Sequence, residues 1–232
     1  MLTVILVNVV WNKTPEIFEK GSEIGKILSD LGLAYLSSWI FYLLIFVVKE
    51  KRDKQNVYMS AHPNTQSLVN RARMVYHLLI EGSDKKDEFR DIAPENVSKD
   101  QFDILCSSTN PSAIIPNKRL GNIQNSVEAS YARWIYHNCI DEVQHYYNKI
   151  IVNDKLLDSE HIALLNKIRD SLFFNQMHIY AVTIRNTNFS TFSKEMYEYL
   201  QIANELDVLN KRLKNKYLVS ERKLAYLILT GL

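Results

Sequence analysis

Glycine and proline are scarce in this 232-residue chain, at six and five. Many short strands joined by tight turns would need more of both, so a helical protein is expected. Cysteine is scarcer still. Cys106 and Cys139 are the only two, stand 33 residues apart and form no CxxC pair, which argues for buried reduced thiols rather than a disulfide or zinc framework. An excess of charge of one sign is also missing. With 28 basic and 26 acidic side chains the formal net charge is +2, so there is no bulk basic field that would make nucleic acid the expected partner. The absence of a fixed-period repeat and of low-complexity tracts removes solenoids and disordered tails from consideration.

Catalytic signatures are lacking too. There is no GxSxG, no cysteine set in a recognised pattern with a histidine, and no glycine-rich turn. The stretch GSEIGK at 21–26 is close to a phosphate-binding loop, but it has three residues between its glycines instead of four, and no Ser or Thr follows Lys26. Two acid–histidine pairs, Glu142 with His145 and Asp158 with His161, have the spacing used in di-metal carboxylate proteins. Two further bridging carboxylates would be needed, so ordinary polar-face residues are the better reading. The expectation is a protein that is not an enzyme, with no catalytic, cofactor-binding or metal residues and no cofactor.

What the chain does have is one long apolar run. From Leu31 to Val48 there are eighteen residues without a charge, and Lys49, Lys51, Arg52 and Lys54 follow within six residues. As a helix the run rises roughly 27 Å, close to the hydrocarbon core of a bilayer. Leu33, Trp39, Phe41, Leu44 and Phe46 point in every direction around such a helix, leaving no face for water. A membrane span is therefore expected over about 27–48. Lys13, Lys20 and Lys26 on the other side are interleaved with Glu16, Glu19, Glu23 and Asp30, so the denser basic flank is expected to place the carboxyl-terminal part on the cytoplasmic side.

The opening MLTVILVNVVW is apolar as well, yet it would reach only ~16 Å as a helix and carries no positive n-region or small-residue cleavage site. It reads as a partial membrane helix over 1–11, the outer half of the first arm of a hairpin with both ends inside. Thr14 and Pro15 are suited to begin the second arm, as capping hydroxyl and first helical proline. Gly21, Gly25, Ser29 and Gly32 form a small-residue ridge along it that another helix can approach closely.

The remainder, 55–232, reads as a cytoplasmic α-helical domain, giving two parts with a membrane segment at 1–54. The fold class expected is all-α, an amino-terminal transmembrane helix or helical hairpin followed by a cytoplasmic helical bundle. A helix is expected from about Asn64 to Glu81, with Leu68, Ala72, Val75 and Leu79 inward and Gly82 ending it. The charged stretch 83–100 looks like an exposed connection and a surface for a protein partner. A short helix over Lys99 to Cys106 and a loop through Pro111 and Pro116 come next. The longest helix is expected from about Ile123 to Asn153, with Ala132, Ile135, Cys139, Val143, Tyr146 and Ile150 forming its inner stripe and His137 and Asp141 almost opposite. Another is expected over 158–182, with Leu164, Leu165, Ile168, Leu172 and Ile179 inward. From Ser193, the residues Met196, Leu200, Ala203, Leu206, Leu209 and Leu213 keep a near-heptad rhythm, for which packing within the chain is preferred over self-association into a homo-oligomer. The tail KLAYLILTGL is too short to span a bilayer and is expected to dock on the bundle. Aromatic side chains crowd 131–149, but Arg133 and Lys149 are the only cations there and Asp141 and Glu142 offset them, so base stacking is not expected.

The run TPEIFEKGSEIGKILSDLGLAYLSSWIFYLLIFVVKEKRDK, followed by a helical domain, resembles bacterial membrane proteins with two amino-terminal membrane helices. The resemblance covers residues 1 to about 55 and extends in layout to the two-transmembrane effectors found beside retrons and other abortive-infection systems. It implies an antiphage effector that perturbs the inner membrane when its cytoplasmic domain is triggered, with the lipid bilayer and a protein as partners. The alternative is a membrane tether that presents a helical interaction module.

Overall fold

The structure is a computed structural model that describes residues 21–120, 127–183 and 187–219. The apolar opening at 1–11, the helix start at Thr14 and Pro15, and the tail at 223–232 lie outside the described residues. Among the described residues 80% are helical and 6% lie in strands, which fits the all-α class apart from one small hairpin.

Two compact units divide the chain, Met1–Asp53 and Lys54–Leu232. In the first, helix α1 runs over Gly21–Tyr42, and a π-helical turn follows at Leu43–Val47, where the Val48 N–H bonds the Leu43 carbonyl. Helix α2 is Val48–Gly82. The break expected ahead of Asn64 is absent, because Pro63 sits inside α2. A proline there removes one backbone donor and crowds the preceding turn. Side chains restore donors around it: the Asn64 amide donates to the Ser60 carbonyl at 2.8 Å, and the buried Asn210 amide donates to the His62 carbonyl at 3.2 Å.

The second unit is built around α2 and a helix far along the chain. Short α3 (Lys86–Phe89) and α4 (Lys99–Ser108) follow α2, the latter opened by a capping box in which Ser98 and Gln101 satisfy each other's backbone N–H groups. The loop expected through Pro111 and Pro116 is in part a strand: β1 (Ile114–Leu120) pairs antiparallel with β2 (Val127–Ser130). Asn117 has φ of 61°, and the register shifts between Ile114 and Arg119, as at a bulge. The helix expected from about Ile123 therefore starts later, as α5 (Tyr131–Ile135), with the Ser130 hydroxyl accepting the Arg133 N–H. A π turn over Tyr136–Asp141 leads into α6 (Glu142–Ile151). Ala132, Ile135, Cys139, Val143 and Ile150 are buried as expected, while Tyr147 replaces Tyr146 in the inner row.

The single helix expected over 158–182 is two, α7 (Ser159–Arg169) and α8 (Leu172–Thr183). Between them the Asp170 N–H bonds the Asn166 carbonyl to close α7, and the Ser171 hydroxyl accepts the Phe174 N–H to start α8. The change of direction buries Phe173 and Met177 and leaves Leu172 exposed, contrary to its expected inward position. Leu164, Leu165 and Ile168 are buried, and the side chain of Ile179 lies outside the described residues.

Helix α9 (Ser193–Lys214) packs on α4, α7 and α8. Met196, Leu200, Ala203, Leu206, Leu209 and Leu213 are all buried within this one chain. A π turn at Asn215–Val219 follows.

Candidate functional site

The first candidate is the surface of α1 and the turn after it. A helix buried in a core hides at least one face, but here every large apolar side chain from Ile24 to Val48 that is described is exposed or half-exposed. Among the exposed ones the value runs from 41% at Ile45 to 74% at Tyr35, while Leu36 and Leu43 are half-buried, so the stretch presents a long apolar surface. Among the described residues, one helix is long and apolar enough to cross a membrane, and it contains this stretch.

The second candidate is a polar seam through the core of the second unit, where α2 meets α9. Its spacing explains it: His62, Gln66 and Arg73 lie on one face of α2, and Asn204, Asp207 and Asn210 recur every three residues on α9. His62 Nδ1 and Asn210 Oδ1 are 3.0 Å apart. Arg73 Nε donates to Asn204 Oδ1 at 3.0 Å and its Nη2 to Asp207 Oδ2 at 3.1 Å. Gln66 donates to Asp207 Oδ1 at 3.2 Å, and Lys211 pairs with Oδ2 at 2.8 Å. Burial disfavours the Asp207 charge, but hydrogen bonds from Lys211 and Gln66 and the Arg73 and Lys211 charges outweigh it and hold the carboxyl below its ordinary range.

A third cluster joins Tyr58 of α2 to the start of α7 and the end of α9. The Tyr58 ring stacks on Tyr217 at 4.5 Å and on His161 at 5.9 Å. The Asp158 N–H donates to the Tyr58 hydroxyl at 2.8 Å, while Asp158 accepts from Lys216 at 3.0 Å and Tyr217 at 2.8 Å. Burial opposes the Asp158 charge, and these two bonds with the charges of Lys216 and Lys54 more than offset it, leaving the carboxyl below its usual range. His161 is fully buried, with Nε2 at 3.0 Å from the Thr65 hydroxyl and Nδ1 without a partner among the described residues. Burial pushes its pKa down to about 4, against a smaller opposing effect of Asp158.

The two acid–histidine pairs singled out by spacing do not form one shared site. His137 and Asp141 form an exposed pair at 3.1 Å. Glu142 faces Arg71 at 3.7 Å, and His145 rests edge-on against Tyr146. Asp158 caps α7, with the His161 N–H bonded to its carbonyl. Among the described residues no three or more His, Cys, Asp or Glu side chains are placed to share a metal ion. Cys106 and Cys139 are buried free thiols, and burial pushes Cys139 up to about 12, with the Arg71 charge a smaller opposing effect. An open groove of about 650 Å³ lies between α2 and the 93–95 loop, with Lys118 standing 5.3 Å from the Trp134 ring at its edge. Its three cations, Arg71, Arg73 and Lys118, are interspersed with Glu81 and Glu95, so the wall carries both signs.

The seam was the part that periodicity alone overlooked. Its signal was available as three polar residues at a spacing of three, set inside an otherwise apolar helical stripe. Comparison with protein-family models, with curated proteins and with solved structures finds no match.

Proposed function

We propose that this chain is a bacterial inner-membrane protein in which the helix between about Leu31 and Val48 crosses the bilayer and ties a cytoplasmic helical bundle to it. The observation that carries this reading is the exposure of the apolar side chains of that stretch, which lipid would cover and water would not. Lys49, Lys51, Arg52 and Lys54 support the orientation, since cations concentrate on the cytoplasmic flank of a span. The bundle is the part that meets a protein partner. The test is extraction of cell membranes: the protein should resist alkaline carbonate and leave only with detergent. Release by a mild salt wash would reject the anchor.

Within that reading we propose that the protein acts as an antiphage effector that perturbs the inner membrane when its bundle is triggered, as the resemblance of residues 1 to about 55 implies. The ridge of Gly25, Ser29 and Gly32 favours it over an inert tether. Induced expression with a membrane-potential dye tests it, with and without phage. Unchanged growth and potential in both conditions would leave the tether.

A further inference from the structure

The cations of the expected cytoplasmic flank recur at the other end of the chain. Lys49, Lys51, Arg52 and Lys54 are four in six residues, and so are Lys211, Arg212, Lys214 and Lys216. A helix carboxyl terminus favours a cation or two for its dipole, but four exceed that need. The structure brings this second group beside the last member of the first. Tyr217 stacks face to face on Tyr58, which stands four residues after Lys54. Asp158 then fastens the same place, receiving Lys216 and Tyr217 and feeling the Lys54 charge.

We propose that the end of α9 and the turn after it, from Lys211 to Tyr217, form a docking surface for anionic phospholipid headgroups. The inference rests on the membrane anchor proposed above and adds a second, separate contact with the same bilayer. Lys211, Arg212 and Lys216 keep 67%, 61% and 56% of their side-chain surface open. Lys214 is exposed and has no ion pair among the described residues. The acids nearby are already engaged inside the unit: Asp207 is buried under Arg73 and Lys211, and Asp158 is held by Lys216 and Tyr217. Glu160 meets Arg212 in an exposed pair, and such pairs are weak enough for a phosphate to replace. A guanidinium and three ammonium groups, each with much of its side chain exposed, suit phosphate oxygens. Clusters of this size beside a membrane anchor bind anionic leaflets, each cation near the surface contributing about fivefold in affinity. Tyr217, with its ring on Tyr58, sets the segment in a fixed place instead of leaving it a loose basic tail.

The test uses the full chain in lipid nanodiscs of phosphatidylcholine alone or with one-third phosphatidylglycerol. Both native cysteines are buried, so an Asn215→Cys variant takes a fluorescent label at one exposed position, and a headgroup quencher reports its distance from lipid. Quenching should be several-fold stronger with phosphatidylglycerol and should fall at high salt. Arg212→Glu with Lys214→Glu should return it to the phosphatidylcholine level, circular dichroism staying native. Equal quenching in the two lipids would overturn the proposal, as would a charge reversal without effect. Protection of the label by duplex RNA with none by phosphatidylglycerol would assign the surface to nucleic acid and also overturn it. A chain that never enters the disc rejects the anchor itself, and is told apart by its elution without lipid.

Discussion

Arg73 and Asp207, 134 residues apart in the chain, meet at 3.1 Å inside the second unit, with the carboxylate side chain only 2% exposed. Removing the carboxylate takes away the bonds from Gln66, Lys211 and Arg73, although Arg73 keeps Asn204 and stands 3.7 Å from Glu95, so Asp207→Ala should cost about 1–3 kcal/mol. Thermal unfolding of the detergent-solubilised chain, followed by circular dichroism, measures it. The carboxyl is held below its ordinary range when folded, so its contribution is present above the unfolded value near 3.9 and is lost as pH falls through the lower folded value. The stability gap between the native chain and Asp207→Asn should therefore be constant from pH 5 to 8 and shrink below about pH 4.

His161 predicts an earlier acid response. Its folded pKa of about 4 lies below the ordinary 6.5, so the unfolded chain takes up a proton that the folded chain refuses. Stability falls as pH drops from 6.5 toward 4, at about 1.4 kcal/mol per pH unit, for a total of about 3 kcal/mol. Urea unfolding at pH 7.5 and pH 5 should differ by about 2 kcal/mol from this side chain alone. His161→Gln should flatten that slope whatever it does to stability at neutral pH. An unchanged slope would mean the imidazole reaches water.

Gly82 ends α2 for a reason that spacing does not reveal. A Cβ there would stand 2.7 Å from Thr109 Cγ2 and 2.9 Å from the Tyr131 ring. Thr109 cannot yield easily, because its hydroxyl donates in a shared bond to the Leu79 and Leu105 carbonyls at 2.9 and 2.8 Å. Gly82→Ala, which in a helix would ordinarily stabilise, should cost about 1–3 kcal/mol by overpacking. A raised melting temperature would contradict the close contact.

The sequence made legible what a three-or-four spacing of apolar residues records. Leu68, Leu79, Ile135, Leu165 and Leu206 were expected inside and are there. Elements set by distant partners were hidden. Pro63 reads locally as a helix stop, yet α2 continues through it, with the Asn64 amide donating to the Ser60 carbonyl and the distant Asn210 amide donating to the His62 carbonyl. The hairpin at Ile114–Leu120 and Val127–Ser130 was hidden because Pro116 argues against a strand and Asn117 supplies the positive φ that glycine usually signals. Asn204, Asp207 and Asn210 resemble solvent-facing positions until α2 is known to cover them. The apolar stretch was the clearest of all, since eighteen uncharged residues leave no polar face to misread.

That stretch yields the last prediction, and the one on which the proposed function depends. Ile40 lies near the middle of the run from Leu31 to Val48, and its side chain is 51% exposed. If lipid surrounds it, Ile40→Arg places a cation near the bilayer centre at a cost of about 2.5–3.5 kcal/mol on insertion scales, enough to push much of the protein out of the carbonate-resistant fraction. If water surrounded it, the same substitution would relieve an exposed apolar patch and improve solubility. The two environments give opposite signs. Ser37→Arg and Val48→Arg extend the measurement: the defect should be smaller at Val48, where a long side chain can reach the headgroups, than at Ile40 or Ser37. A flat response across the three positions would mean that the helix does not lie across a bilayer, whatever its composition.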